Sequence, residues 1–140
     1  HCASSAGKTE IPLEKYHIPA LIFAPGLITP QQVDKVISQI DLMPTLFSLL
    51  GMDYDSHFFG QDALSDDFRE RAFVATYQDL GYLEGDVFTV LSPVNRAEQY
   101  RISPTEEDRY NLVLEGIPSQ ELLDRAISLY QTSSAWNTRP

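Results

Sequence analysis

The sequence predicts an α/β protein in which a buried strand and its covering helix precede a small antiparallel sheet and a C-terminal helix. Residues 18–24 form an apolar run without alternation, which is typical of a strand covered on both faces. Residues 38–50 repeat apolar side chains at helical spacing, and residues 71–102 contain short β-type runs separated by turns. We therefore predict one part at residues 1–64, with the strand and helix, and another at residues 65–140.

Length and composition narrow the class of protein. A chain of 140 residues with 43% hydrophobic residues is long and apolar enough to bury a core, which argues against disorder. No apolar run approaches the roughly 18–20 residues that a membrane-spanning helix needs. The net charge of −10 argues against nucleic acid and against an anionic membrane surface as partners. The single cysteine, Cys2, has no internal disulfide partner and does not decide the compartment.

The N-terminal segment carries candidate functional groups. Residues 1–15 are mainly small and polar and are predicted to form a loop. His1, Lys8 and His17 are side chains suited to binding an anion or a metal, although their spacing alone is a weak signal. The alternatives are a terminal residue without function for His1, a solvated charge for Lys8 and a polar residue at the mouth of a strand for His17.

The predicted strand and helix have recognisable ends. Pro19 lacks an N–H and should begin the strand, and Pro25 with Gly26 should end it. A capping box at Thr29–Gln32 predicts at most one helical turn. The next helix is predicted at about residues 41–50, with Asp41 as N-cap, because Pro44 is tolerated only in a first turn. Its buried face should consist of Ile40, Met43, Leu46, Phe47, Leu49 and Leu50, with Gly51 in the left-handed conformation at its end. Asp41 could also ligate a metal, but capping explains it fully.

The second half of the chain contains hairpin and helix signals. The runs at residues 72–76, 81–83, 87–91 and 98–102 predict a small antiparallel meander, with a tight hairpin turn at Glu84-Gly85-Asp86. Phe58 and Phe59 are expected to anchor the preceding loop to the core. A last helix is predicted from about Ser119 to Ser134, with a frayed end. Its buried face should consist of Leu122, Leu123, Ala126, Ile127 and Tyr130.

With these segments in view, the chain resembles the C-terminal part of the sulfatase family, which belongs to the alkaline phosphatase superfamily. The branch that it resembles is that of the phosphoglycerol transferases, which are similar to lipoteichoic acid synthase. The segments that carry the resemblance are His1–Lys8 (HCASSAGK), His17–Gly26 (HIPALIFAPG), Ser38–Leu46 (SQIDLMPTL), Leu49–Gly51 (LLG), Phe58–Asp62 (FFGQD) and Tyr130–Thr132 (YQT).

The resemblance implies a fold, an activity and a set of site residues. It implies the C-terminal portion of an alkaline-phosphatase-like fold in an enzyme that acts on phosphate or sulfate esters. His1 stands where the family has a ligand of a divalent metal (Mn, Zn, Ca or Mg). Lys8 stands where it has a substrate contact, and His17 stands where many sulfatases have Arg. The nucleophile would lie upstream of this chain, so no catalytic nucleophile is assigned here.

The same resemblance implies further expectations about partners. The chain should complete its site with an N-terminal part of the catalytic domain, and alone it should be inactive and associate through an exposed sheet edge. A phosphoglycerol transferase would be anchored in the cell membrane with its catalytic domain outside the cytoplasm. Two other functions remain open, a true sulfatase and a binding or interaction module without catalysis.

Overall fold

The structure, a computed structural model, describes residues 11–57 and 59–138. The chain divides into two compact units. The loop unit is the segment Pro19–Ala72, and the sheet unit joins the described residues up to Ile18 with those from Phe73 onward. The boundary predicted between residues 64 and 65 stays a prediction.

The sheet has five strands whose spatial order follows the sequence. The strands are β1 (Arg71–Ala75), β2 (Leu80–Glu84), β3 (Val87–Ser92), β4 (Arg96–Ile102) and β5 (Leu112–Leu114). The pairs β2–β3, β3–β4 and β4–β5 are antiparallel, as the predicted meander requires. The predicted hairpin is present, because Glu84 pairs with Val87 and Gly85 turns the chain with a φ of +60°. The short strand β5 was not predicted.

The core of the sheet unit includes residues that the sequence placed in a polar loop. Ile11 and Leu13 are buried against Val74, Phe88 and Val90. Leu13 also opens a short 3-10 helix, Leu13–Tyr16. The loop prediction is therefore wrong for this stretch, since two apolar side chains at alternate positions are enough to bind it to the sheet.

The C-terminal helix α2 (Gln120–Asn137) follows its predicted cap. The Ser119 hydroxyl accepts a hydrogen bond from the Leu122 N–H, and Ala126 is fully buried. The helix continues past residue 134, where fraying was expected. Gln99, which is 2% exposed, holds its start: the side-chain amide donates to the Ser119 carbonyl (3.0 Å) and accepts from the Ser119 N–H (2.6 Å). This pair of bonds joins the helix to β4.

In the loop unit, helix α1 (Leu42–Leu49) lies close to its predicted position. A 3-10 turn, Gln39–Asp41, precedes it, and Gly51 adopts the predicted left-handed conformation with a φ of +62°. The capping box at residues 29–32 starts no helix. Residues 18–24 form no strand either, because a strand needs a neighbour for its backbone hydrogen bonds and the described residues place none beside them.

The apolar side chains of the loop unit are unusually exposed. Leu21 and Phe23, from the segment predicted as a buried strand, are 90% and 84% exposed. The face predicted as buried on α1 divides in two: Leu46, Phe47 and Leu49 are half-buried, whereas Ile40, Met43 and Leu50 are exposed. The apolar side chains recur at the predicted positions, but no described part of the chain covers all of them.

Candidate functional site

Of the three predicted site residues, only His17 lies in the part of the chain that the structure describes. His1 and Lys8 fall within residues 1–10, outside the described residues. Their roles as metal ligand and substrate contact therefore stay predictions. His17 is exposed, at the point where the 3-10 helix Leu13–Tyr16 ends.

The backbone at His17 is anchored to the sheet unit. Leu13 lies in the core, and the Tyr16 hydroxyl donates a hydrogen bond of 2.8 Å to the Ala75 carbonyl oxygen in β1. The His17 N–H donates to the carbonyl oxygen of Glu14 (3.3 Å). An exposed imidazole thus stands on a backbone that is fixed on both sides of the 3-10 turn.

The His17 side chain is held by a tyrosine that is 93 positions away in the sequence. The Tyr110 hydroxyl and the His17 Nδ1 share a hydrogen bond, and the two rings meet edge to face at 5.9 Å between centroids and 83° between planes. Tyr110 is itself held, because its N–H donates to the Asp108 carboxylate (2.8 Å). The Arg109 guanidinium lies 5.9 Å from the centroid of the Tyr110 ring, within the range of a cation–π contact.

This arrangement leaves one ring nitrogen of His17 for another partner. Nδ1 is used by Tyr110, and no hydrogen bond to Nε2 is recorded among residues 11–57 and 59–138. Lys15 and Arg109 add exposed positive charges to the sheet unit, one in the 3-10 helix and one beside Tyr110. An imidazole with one anchored and one accessible nitrogen can donate to an anionic oxygen. No sequence motif points to Tyr110 and Arg109, because only the fold brings them to His17.

The described residues do not by themselves form a metal site. No group of three or more His, Cys, Asp or Glu side chains that could hold a metal ion occurs among them. The expected divalent metal depends on His1, which lies outside them, and stays a prediction.

Asp41, the carboxylate that could also ligate a metal, has a structural role in the loop unit. It is fully buried, and its Oδ1 and Oδ2 accept hydrogen bonds from the Arg71 guanidinium at 2.8 and 2.7 Å. The same carboxylate accepts from the N–H groups of Ser38 (2.9 Å) and Gln61 (2.8 Å). Four donors saturate its two oxygens. Asp41 stands at the predicted N-cap position of α1, but its side chain accepts no hydrogen bond from the first turn of that helix and pairs with a buried arginine instead, so the capping role predicted for it is wrong.

The residues after Asp41 extend this arrangement. Pro44 and Thr45 are buried in the first turn of α1. The Thr45 hydroxyl donates to the Asp41 carbonyl oxygen (2.7 Å) and accepts from the Ala63 N–H (2.9 Å). The Asp-x-x-Pro-Thr motif thus ties the start of the helix to the loop that follows it, and its polar groups have structural partners.

The loop at residues 52–64 is attached through the Tyr54 ring, which meets the Phe47 ring of α1 at 4.9 Å between centroids, and through its backbone. Phe58 lies outside the described residues, and the Phe59 side chain is 36% exposed, so the anchoring expected of Phe59 is wrong. The Phe59 carbonyl instead accepts a hydrogen bond from Arg71 (3.3 Å). A Cβ on Gly60 would stand 2.0 Å from the Ile40 carbonyl oxygen, so the loop passes too close to that backbone for any side chain.

Two comparisons with known proteins show what this chain is similar to. A family model described as Sulfatase matches residues 2–52. A crystal structure of a protein in the alkaline phosphatase superfamily from Vibrio parahaemolyticus matches with a TM-score of 0.80 and 28% sequence identity, over 96% of this chain and 33% of that protein. Both findings support the alkaline phosphatase superfamily.

The superfamily match confirms the predicted fold class. The chain is an α/β structure with a small antiparallel five-stranded sheet and a C-terminal helix, and nearly all of it matches a superfamily member. It spans about a third of the length of that protein. Among the described residues, neither helix is both long and apolar enough to cross a membrane.

Proposed function

We propose that this chain is the C-terminal part of a metal-dependent enzyme that acts on phosphate or sulfate esters, and that its reaction is phosphoglycerol transfer. The observation that carries the proposal is the match to a superfamily protein over 96% of the chain but only 33% of that protein. In this proposal the nucleophile lies on residues that precede His1. The chain contributes His1 as a metal ligand, with Lys8 and His17 as contacts to the substrate.

The residue types suit this chemistry. Phosphoryl and sulfuryl esters carry negative charge on oxygens that do not react, and transfer requires donors that are already in place for that charge. Lys8 would offer a compact ammonium, and His17 offers an imidazole whose position Tyr110 holds. A divalent metal, when bound, supplies charge neutralisation and lowers the pKa of a nucleophile.

The exposed apolar side chains of the loop unit support a larger catalytic domain. Leu21, Phe23 and Leu27 are each at least 60% exposed, and Ile40, Met43 and Leu50 follow at 43–56%. Soluble proteins rarely leave so much adjacent apolar sequence uncovered. We infer that the preceding part of the same protein covers it, and that the isolated chain would self-associate. Membrane anchoring, with the catalytic domain outside the cytoplasm, belongs to the same proposal.

A second candidate is hydrolysis of sulfate esters. The family model that matches residues 2–52 is described as Sulfatase, and this favours sulfatase chemistry over a binding module without catalysis. Both candidates place His17 near an anionic ester oxygen. They differ in the ester that reacts and in whether the acceptor is water or an alcohol.

The experiment compares esters on the native full-length protein. We expect turnover of a glycerophosphate diester to exceed turnover of an aryl sulfate, and His17→Gln to lower kcat/KM by about tenfold, as the loss of one charge-assisted hydrogen bond would. His57→Gln, which replaces an exposed histidine of the loop unit, is the matched control and should leave kcat/KM unchanged.

The other outcomes contradict separate parts of the proposal. Faster turnover of the aryl sulfate selects the sulfatase, and absence of turnover with both esters refutes the proposed function. Turnover by the isolated 140-residue chain refutes a site shared with preceding residues.

A further inference from the structure

We propose that Tyr110 is a positioning residue that fixes the His17 imidazole in the tautomer with its proton on Nε2. His17 is then a hydrogen-bond donor to an anionic ester oxygen and is unsuited to ligate a metal through that nitrogen. The inference deepens the proposed function and rests on it for the identity of the anion. The tautomer itself can be measured whatever the reaction is.

The direction of the hydrogen bond follows from the chemistry of the two groups. A phenol is a good donor, and its oxygen is a poor acceptor because its lone pairs are delocalised into the ring. A neutral imidazole has one basic nitrogen that accepts well and one N–H that donates. The favourable pairing therefore has the Tyr110 O–H donating to Nδ1, which places the ring proton on Nε2.

The contacts around Tyr110 hold its side chain in place beside His17. The Tyr110 ring packs beside the core of the sheet unit and meets His17 edge to face. Its backbone N–H is bound by Asp108, and Arg109 lies over its ring. The residue that sets the tautomer is thus held in three ways, by core packing, by a backbone hydrogen bond and by a cation–π contact.

The accessible nitrogen matches an anion better than a metal. A metal ligand needs a lone pair on the coordinating nitrogen, whereas Nε2–H presents a proton. Ester oxygens of phosphate and sulfate are acceptors. In this part of the site His17 would therefore recognise the substrate, and metal ligation would fall to other residues.

The test uses the native full-length protein with ¹⁵N-labelled histidine at alkaline pH. His17→Gln identifies the His17 signals by removing them. We expect the wild-type spectrum to show the proton on Nε2, and Tyr110→Phe to give a mixture of the two tautomers. Tyr100→Phe is the matched control: it removes a hydroxyl of the same unit that donates to Glu98, and it should leave the His17 signals unchanged.

Inorganic phosphate serves as the anion probe in the same samples. Binding should shift the Nε2–H signal, and Tyr110→Phe should raise the Kd for phosphate roughly fivefold, about the loss of one neutral hydrogen bond. If His17 carries its proton on Nδ1 in the wild-type protein, the proposal is overturned, and this observation requires no variant. An unchanged Kd in Tyr110→Phe overturns the role in anion binding. If the expected tautomer is observed but neither ester is turned over, the proposed function is refuted, whereas the positioning of His17 by Tyr110 is not.

Discussion

Replacing Asp41 by Asn tests whether the buried ion pair holds the loop unit together. Asn keeps the shape and one acceptor oxygen of Asp41 but removes the charge that faces Arg71. The Arg71 side chain is 5% exposed, so its guanidinium would lose its counter-charge away from water. Breaking a buried pair from one side typically costs about 3–5 kcal/mol. Total stabilities are about 5–15 kcal/mol, so this change should open much of the unit.

Hydrogen–deuterium exchange measures the free energy of local opening at each amide. A local measurement is needed because the two units need not unfold together. At 1.36 kcal/mol per tenfold change, we expect amides in residues 38–49 and 59–71 to exchange faster by roughly two to four orders of magnitude. Asp86→Asn is the matched control. It breaks the ion pair between Asp86 and Arg101, whose side chains are 58% and 51% exposed. Because water already solvates both charges, the amide exchange rates should not change.

A double-mutant cycle separates the ion pair from other effects of each change. Arg71→Met removes the charge and keeps much of the buried side-chain volume. The double variant Asp41→Asn/Arg71→Met should then be less destabilised than the sum of the single variants, because neither charge is left without its partner. Wild-type exchange in Asp41→Asn, or strictly additive effects in the double variant, would refute this reasoning.

Two further predictions concern the helix and the loop. The Tyr130 hydroxyl donates to the Gly81 carbonyl (2.8 Å), and burial raises its pKa to about 12. The neutral phenol therefore stabilises the fold fully below about pH 10, and this contribution is lost as the pH rises through about 12. The difference in ultraviolet absorbance between wild type and Tyr130→Phe should titrate near 12, and a midpoint near 10 would contradict this. Gly60→Ala should destabilise the loop unit by about 1–3 kcal/mol in thermal unfolding, because its Cβ meets the Ile40 backbone. Gly116→Ala is the control, because nothing lies within 4 Å of the Cβ that it adds. Equal destabilisation by the two substitutions would show that the close approach to Ile40 is not the cause.

Several elements follow from local sequence because their signals act over a few residues. Gly85 supplies the backbone conformation of the β2–β3 turn, and Ser119 caps α2 with its own side chain. Asp41 occupies the N-cap position of α1, and Pro44 lies in the first turn of that helix. Each of these positions was predicted from neighbours within one turn, and the structure has each of them.

The errors occur where the outcome depends on distant residues. Ile11 and Leu13 join a core that the polar sequence around them conceals. Residues 18–24 have the composition of a buried strand, but a strand forms only beside another strand, and the described residues place none there. β5 is too short for its own pattern and forms by pairing with β4.

The amino-acid sequence by itself determined the class of fold, the resemblance to sulfatases, and the ends of most helices and strands. Only the tertiary structure decided that Arg71, 30 positions away, pairs with Asp41, and that Tyr110, 93 positions away, holds His17. The physical reason is that caps and turns are satisfied by adjacent backbone groups, whereas a buried charge or an oriented imidazole needs a partner that only the folded chain brings within hydrogen-bond distance.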